Sequence, residues 1–113
     1  MGHPLIENLK GENVNAVAKG KRKEKLCADE LKAKGYRTWK TIRHRFLNID
    51  LFGLFDVVGL APDGSHLLFI QVKSERVANE VRDRVRTLKM PPACRKEIWI
   101  WKARRGWVKE VYD

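Results

Sequence analysis

The chain has 113 residues, 43% of them apolar, with 24 Lys plus Arg against 14 Asp plus Glu, a net charge of +10. That length holds one compact domain with one core, and the apolar content excludes a disordered tail. No apolar run approaches the ~20 residues of a membrane-spanning helix, and two isolated cysteines, Cys27 and Cys94, make neither a disulfide framework nor a zinc site. They suit a reducing, cytoplasmic interior. Residues 1–10 lack the apolar stretch of a secretory signal, and Ile6 stands where a myristoylation signal has Ser or Thr, so neither is expected.

The chain reads as a single domain over residues 1–113, with residues 1–12 as a disordered N-terminal arm. A helix is expected from Asn13 or Lys19 to Lys34, stopped by Gly35 after a lysine-rich last turn. Its apolar face carries Val17, Cys27, Ala28 and Leu31. Glu24 precedes Cys27, Ala28 and Leu31 by three, four and seven positions, which turns it inward. An inward carboxylate needs a partner or a metal, although a nearby lysine would also serve. Residues 36–46 are rich in β-formers and read as a first strand; 54–60, with Val57 and Val58, as a second. Pro62-Asp63-Gly64-Ser65 is a turn signal. Residues 66–73 form a third strand, with Leu67, Phe69, Gln71 and Lys73 on one face and Leu68, Ile70 and Val72 on the other. Ser74 caps a polar helix to Leu88 that carries Arg76, Arg82, Arg84 and Arg86. After Pro91-Pro92, residues 97–101 alternate Ile and Trp as an edge strand, and Arg105-Gly106 turns into a last strand at 107–112. The order α-β-β-β-α-β-β gives an α/β fold, one mixed sheet flanked by helices.

Charge is unevenly spread. Residues 1–45 sum to +7, residues 46–72 to −3 with no Lys or Arg, and residues 73–113 to +6. Burial of strands accounts for the missing cations. It does not account for Asp56 inside an apolar run. If the hairpin closes through a two-residue Asp63-Gly64 turn, paired positions sum to 127 and Asp56 lies opposite Gln71, with Lys73 opposite Leu54. A bulge would slip that register by one. In the unslipped register Asp56, Gln71 and Lys73 converge, and Glu24 reaches them from the helix.

Such a cluster suits phosphodiester hydrolysis. Asp56 and Glu24 are hard anionic ligands for Mg²⁺ or Mn²⁺, and the Gln71 amide and the Val72 backbone carbonyl add neutral oxygens. Lys73 can orient the attacking water and stabilise phosphoryl charge. A +10 protein meets nucleic acid through its phosphates, here through Lys19, Lys21, Arg22 and Lys23, through Arg43 and Arg45 around His44, and through Arg76, Arg82 and Arg86. Bland readings stand beside these. Asp56 could be satisfied by backbone groups, Lys73 could mark the strand's exit from the core, and Arg82 and Arg86 could be a solvated face. Trp99, Trp101 and Trp107 could stack bases, but more often such residues form core or a dimer interface. Arg104-Arg105 could grip a phosphate or do nothing.

Glu24, Asp56 and Gln71-Val72-Lys73 together resemble the PD-(D/E)XK nuclease superfamily. Lys19-Gly20-Lys21-Arg22-Lys23-Glu24 is similar to the helix start of archaeal-type and phage Holliday junction resolvases, and Asp50-Leu51-Phe52-Gly53-Leu54-Phe55-Asp56 is similar to segments of small phage nuclease-like proteins. The resemblance covers residues 19–90. It implies a restriction-endonuclease-like α-β-β-β-α-β core, metal-dependent cutting of branched DNA, and a setting in recombination or repair. A homodimer is expected because a monomer this small has limited surface for a branched junction, a two-fold dimer would match two symmetric cuts, and residues 98–101 with Trp107 carry more aromatic surface than a small monomer readily hides. One departure is plain. Position 71 is Gln where the family has Glu or Asp, so a neutral amide replaces an anionic ligand. The endonuclease subunit of some transposases also has Gln-x-Lys. The alternative is a weakly active or inactive nucleic-acid-binding module, or a subunit of a recombination or transposition complex.

Overall fold

The computed structural model describes residues 20–43, 48–49 and 51–112. The expected arm at residues 1–12 and the start of the first helix lie outside them. Residues 20–33 form helix α1. Seven strands and a second helix follow: β1 Arg37–Lys40, β2 Ile42–Arg43, β3 Asn48–Ile49, β4 Val57–Leu60, β5 Leu67–Ser74, α2 Asn79–Thr87, β6 Cys94–Lys102 and β7 Gly106–Tyr112. Five strands make one sheet in the order β1-β4-β5-β6-β7, and β2 pairs with β3 in a separate two-stranded piece. Only β5 and β6 run parallel, joined by α2; the other neighbours are antiparallel. The fold is therefore α/β with one mixed sheet.

Helix α1 ends as its sequence requires. Gly35 takes φ +89°, where a side chain would be strained, and the Tyr36 and Gly35 N–H groups reach back to the Leu31 and Lys32 carbonyls at 3.0 and 2.9 Å. The helix lays Cys27, Ala28 and Leu31 on Val57, Leu68, Ile70, Val72 and Trp99. The opposite face of the sheet holds Phe55, Phe69, Val77, Val85, Ile98 and Ile100, with Val81 of α2 against them. Central β5 is covered on both faces, and its alternation sorts as read from the sequence.

Several expected elements are corrected. The first strand breaks at Thr41, and its continuation β2 leaves the main sheet. The second strand starts at Val57 rather than Leu54, because the chain from Leu51 to Phe55 closes a turn with Phe52 and Gly53 in the left-handed region. Ser74 caps nothing. It ends β5, and the N-cap position of α2 is Ala78, without a side-chain cap. Arg76 thus precedes the helix. Strand β6 is interior, not an edge, since β7 covers its far side. Trp99 is correspondingly core.

A basic side chain missed by the sequence reading closes α2. Lys96 is only 4% exposed. Its ammonium donates to the carbonyls of Val85 (2.7 Å), Arg86 (3.2 Å) and Leu88 (2.7 Å). These groups otherwise end a helix without partners.

Candidate active site

The β4–β5 hairpin has the expected register. Val57, Val58, Gly59 and Leu60 face Ile70, Phe69, Leu68 and Leu67. Closure is by a four-residue loop, 62–65, between Ala61 and His66, which leaves the register of a two-residue turn unchanged. The ladder stops one residue past Val57. The Asp56 N–H donates to the Ile70 carbonyl at 2.9 Å, and the Asp56 carbonyl accepts from the Thr41 N–H of the neighbouring edge at 2.6 Å. From there the chain turns away, so Leu54 does not come to lie opposite Lys73.

Beyond this break no strand opposes Val72 on the β4 side, and the Asp56 side chain fills the gap. Its Oδ2 accepts the Val72 N–H at 2.8 Å and the Gln71 Nε2 at 3.1 Å. The carboxylate thus stands in for the missing backbone acceptor, as the bland reading allowed. Placement is what makes it more than a cap. In a strand the N–H and C=O of one residue point to the same side, so the Val72 carbonyl faces the same gap. Asp56 is 1% exposed and Gln71 7%.

Glu24 is turned inward, at 3% exposure. It lies in the wall of an open concavity of about 390 Å³, with Lys21, Arg22 and Lys25 of α1 and Lys40 and Thr41 at the end of β1. Thr41 is the link, since its N–H binds Asp56 while it lines the concavity beside Glu24. Burial, then Glu30, pushes the Cys27 thiol far up. Lys40 and Thr41 were not singled out from the sequence. Their place follows only from the β1–β4 pairing, which sets Lys40 against Val57.

Lys73 shares the Gln71 face of β5 and is half-buried. Among the described residues it makes no hydrogen bond or ion pair. Asp56, Gln71, Val72 and Lys73 thus occupy one end of the sheet, but Gln71 and Lys73 share the α2 face with Phe69, Ile98 and Ile100, while Glu24 lies on the α1 side, so the expected reach of Glu24 to Gln71 and Lys73 is corrected. Among the described residues no three Asp, Glu, His or Cys side chains come together as a metal cage.

The expected DNA contacts divide. Lys21 and Arg22 are exposed beside Glu24. Lys23 sits over the Trp101 ring at 4.5 Å. Arg76 is exposed just past Lys73. Arg82 straps α2 to β7 through Glu110, with Nε–Oε1 at 2.9 Å and Nη2–Oε2 at 2.8 Å. Arg86 pairs with Asp83 at 2.6 Å and approaches the Tyr112 ring. Both sit with α2, on the face of the sheet away from α1. Lys19, Arg45 and the side chain of Arg43 lie outside the description. Asp50 does too.

Comparison with protein-family models finds no match, and comparison with curated proteins finds none either.

Proposed function

We propose that this chain is a metal-dependent DNA endonuclease on a restriction-endonuclease-like core, acting on branched DNA as a homodimer. The order α1-β1-β4-β5-α2-β6, antiparallel through β5 and then parallel to β6, supports that core. The observation that carries the reading is the broken ladder. A buried carboxylate and a backbone carbonyl face the same gap, a lysine without a partner among the described residues stands one residue further along β5, and a second buried carboxylate ringed by cations lies on the α1 side of the sheet. Asp56, Glu24, the Gln71 amide oxygen and the Val72 carbonyl are all hard oxygen donors, and two of them are anionic, which fits Mg²⁺ or Mn²⁺. When bound, such an ion supplies a water of lowered pKa and neutralises phosphoryl charge.

The chain's own residues do the rest. Lys21, Arg22, Lys25 and Lys40 hold phosphates flanking the scissile one. Lys73 orients the attacking water and donates to a non-bridging oxygen as charge builds there. Water attacks phosphorus in line and gives up one proton to solvent, the P–O bond to the leaving oxygen breaks, and that oxygen takes up a proton from solvent to leave as an alcohol. Paired cuts in a symmetric junction call for two sites related by a two-fold axis, hence the dimer.

A second reading has its own observation. Asp56 Oδ2 already accepts two hydrogen bonds, and position 71 is neutral. Both favour a DNA-binding module that holds no metal. Cleavage of four-way junction, flap, duplex and single-stranded DNA with Mg²⁺ or Mn²⁺ decides between them. Metal-dependent cutting, strongest on branched substrates, is expected. Tight binding with no cutting in either metal would leave the binding module.

A further inference from the structure

Two non-glycine residues at the active-site end of the sheet adopt left-handed backbone, and they are tied together. Glu75 has φ +69° and Arg104 has φ +69°. Glu75 sits in a three-residue turn closed by the Arg76 N–H on the Ser74 carbonyl at 2.8 Å, a rare and strained form at positive φ. Arg104 sits in the β6–β7 turn, which the Arg105 N–H closes on the Lys102 carbonyl at 3.0 Å. At that turn position φ > 0 normally calls for Gly or Asn. Three fasteners join the two turns. The Glu75 N–H donates to the Trp101 carbonyl at 2.8 Å, the Ala103 N–H donates to Glu75 Oε1 at 3.1 Å, and the Lys102 ammonium donates to the Glu75 carbonyl. Strain of this kind persists only where the surroundings over-determine it, and it gathers at functional sites.

What the turn presents is charge. Arg104 and Arg105 are exposed, and neither has a hydrogen-bonding or ionic partner among the described residues. The arginines of α2 differ, since Arg82, Arg84 and Arg86 are engaged by Glu110, the Gly53 carbonyl and Asp83. The parallel pairing of Ser74 with Trp101 puts this turn at the end of β5 that carries Lys73.

We propose that the β6–β7 turn is a DNA phosphate-binding finger, with Arg104 and Arg105 as its contacts and Glu75 as the positioning residue that pins it beside Lys73. The finger rests on the reading of this end of the sheet as DNA-facing, but not on cleavage. It is therefore tested in EDTA, by titrating a short fluorescent DNA duplex at several salt concentrations. Each phosphate contact contributes about 0.9 to the slope of log K against log salt. The Arg104→Ala/Arg105→Ala pair should flatten that slope by about 1.8. Arg37→Ala/Lys89→Ala removes the same charge from exposed positions at the far end of the sheet and should leave the slope as it is. Glu75→Ala should weaken binding while Glu75→Gln, whose amide oxygen still accepts the Ala103 N–H, restores it; melting curves check that each variant is folded. An unchanged slope for the tip pair, an equal change for the far-end pair, or no DNA binding by the wild type would overturn the finger. Failure of the nuclease reading looks different: binding with the expected slopes, but no cleavage in Mg²⁺.

Discussion

Replacing Gln71 with Glu tests the centre of the site. The Gln71 amide nitrogen lies 3.1 Å from Asp56 Oδ2. In Gln71→Glu that attraction becomes two carboxylates in near contact. At an effective dielectric of ~20, two unit charges at that separation repel by about 5 kcal/mol. The protein has a cheaper course, which is to keep one proton on the pair. Holding a carboxyl of ordinary pKa ~4.3 protonated at pH 7 costs about 4 kcal/mol, so protonation caps the loss. The sign follows from linkage. The folded pair has a raised pKa, so it retains a proton that the unfolded chain has released. The mutant's deficit is absent below about pH 4 and grows by about 1.4 kcal/mol per unit as pH rises, until the folded pair itself ionises. With a stability of ~5–15 kcal/mol the domain should remain folded at neutral pH. Urea unfolding of both proteins between about pH 4 and 8, with and without MgCl₂, measures this. Mg²⁺ should restore the mutant and raise its Tm more than the wild type's, because a hard cation prefers carboxylate to amide oxygen. It should also lower the Mg²⁺ needed for half-maximal cleavage. Matching pH profiles and matching Mg²⁺ responses for the two proteins would refute both the facing of residue 71 toward Asp56 and the metal site.

Asp56→Asn keeps the shape and lets Gln71 turn its oxygen to the new amide, so stability should fall by only ~1 kcal/mol, while cleavage drops at least ~100-fold and junction binding survives; full cleavage would sink the assignment. Lys73→Ala should remove cleavage to a similar degree at unchanged Tm, read by melting and by single-turnover assay. Lys96→Met strands three carbonyls at the end of α2 and should cost ~3 kcal/mol in urea unfolding; a loss under ~0.5 kcal/mol would mean that water replaces the ammonium. The Glu110 carboxyl is held low by Arg82 first and by the Tyr112 hydroxyl next. Its contribution is therefore present above the ordinary carboxylate range and lost as pH falls through the depressed value, so Glu110→Gln should trail the wild type at neutral pH and converge with it in acid.

Much of this architecture is local chemistry, and so it was legible in the residues. Gly35 ends α1 because only it takes that φ without strain. The alternation of β5 sorts into two cores because successive side chains in a strand point to opposite faces. Glu24 is buried because it shares a helical stripe with Cys27, Ala28 and Leu31. The Asp56–Gln71 pairing followed from a turn signal flanked by two apolar runs, and the real loop, longer by two residues, preserves it.

Tertiary packing decided what local pattern leaves open. Residues 36–46 have the propensity of one strand, yet Thr41 breaks it, because its N–H is taken by the Asp56 carbonyl as the edge of the sheet ends. Asp56 became the acceptor for Val72 only because the chain before it curls into the Leu51–Phe55 turn, and no periodicity in residues 54–60 marks that departure. The arginines of α2 read as a cationic face until Glu110, 28 residues beyond Arg82, is folded against them. Lys96 reads as a strand cation until the end of α2 arrives over it. A pattern within one element specifies which face is buried. Which partner from elsewhere in the chain then meets a given polar group depends on how the elements dock, and at this end of the sheet docking places a neutral amide against Asp56 and, at the same rim, two arginines that have no partner among the described residues.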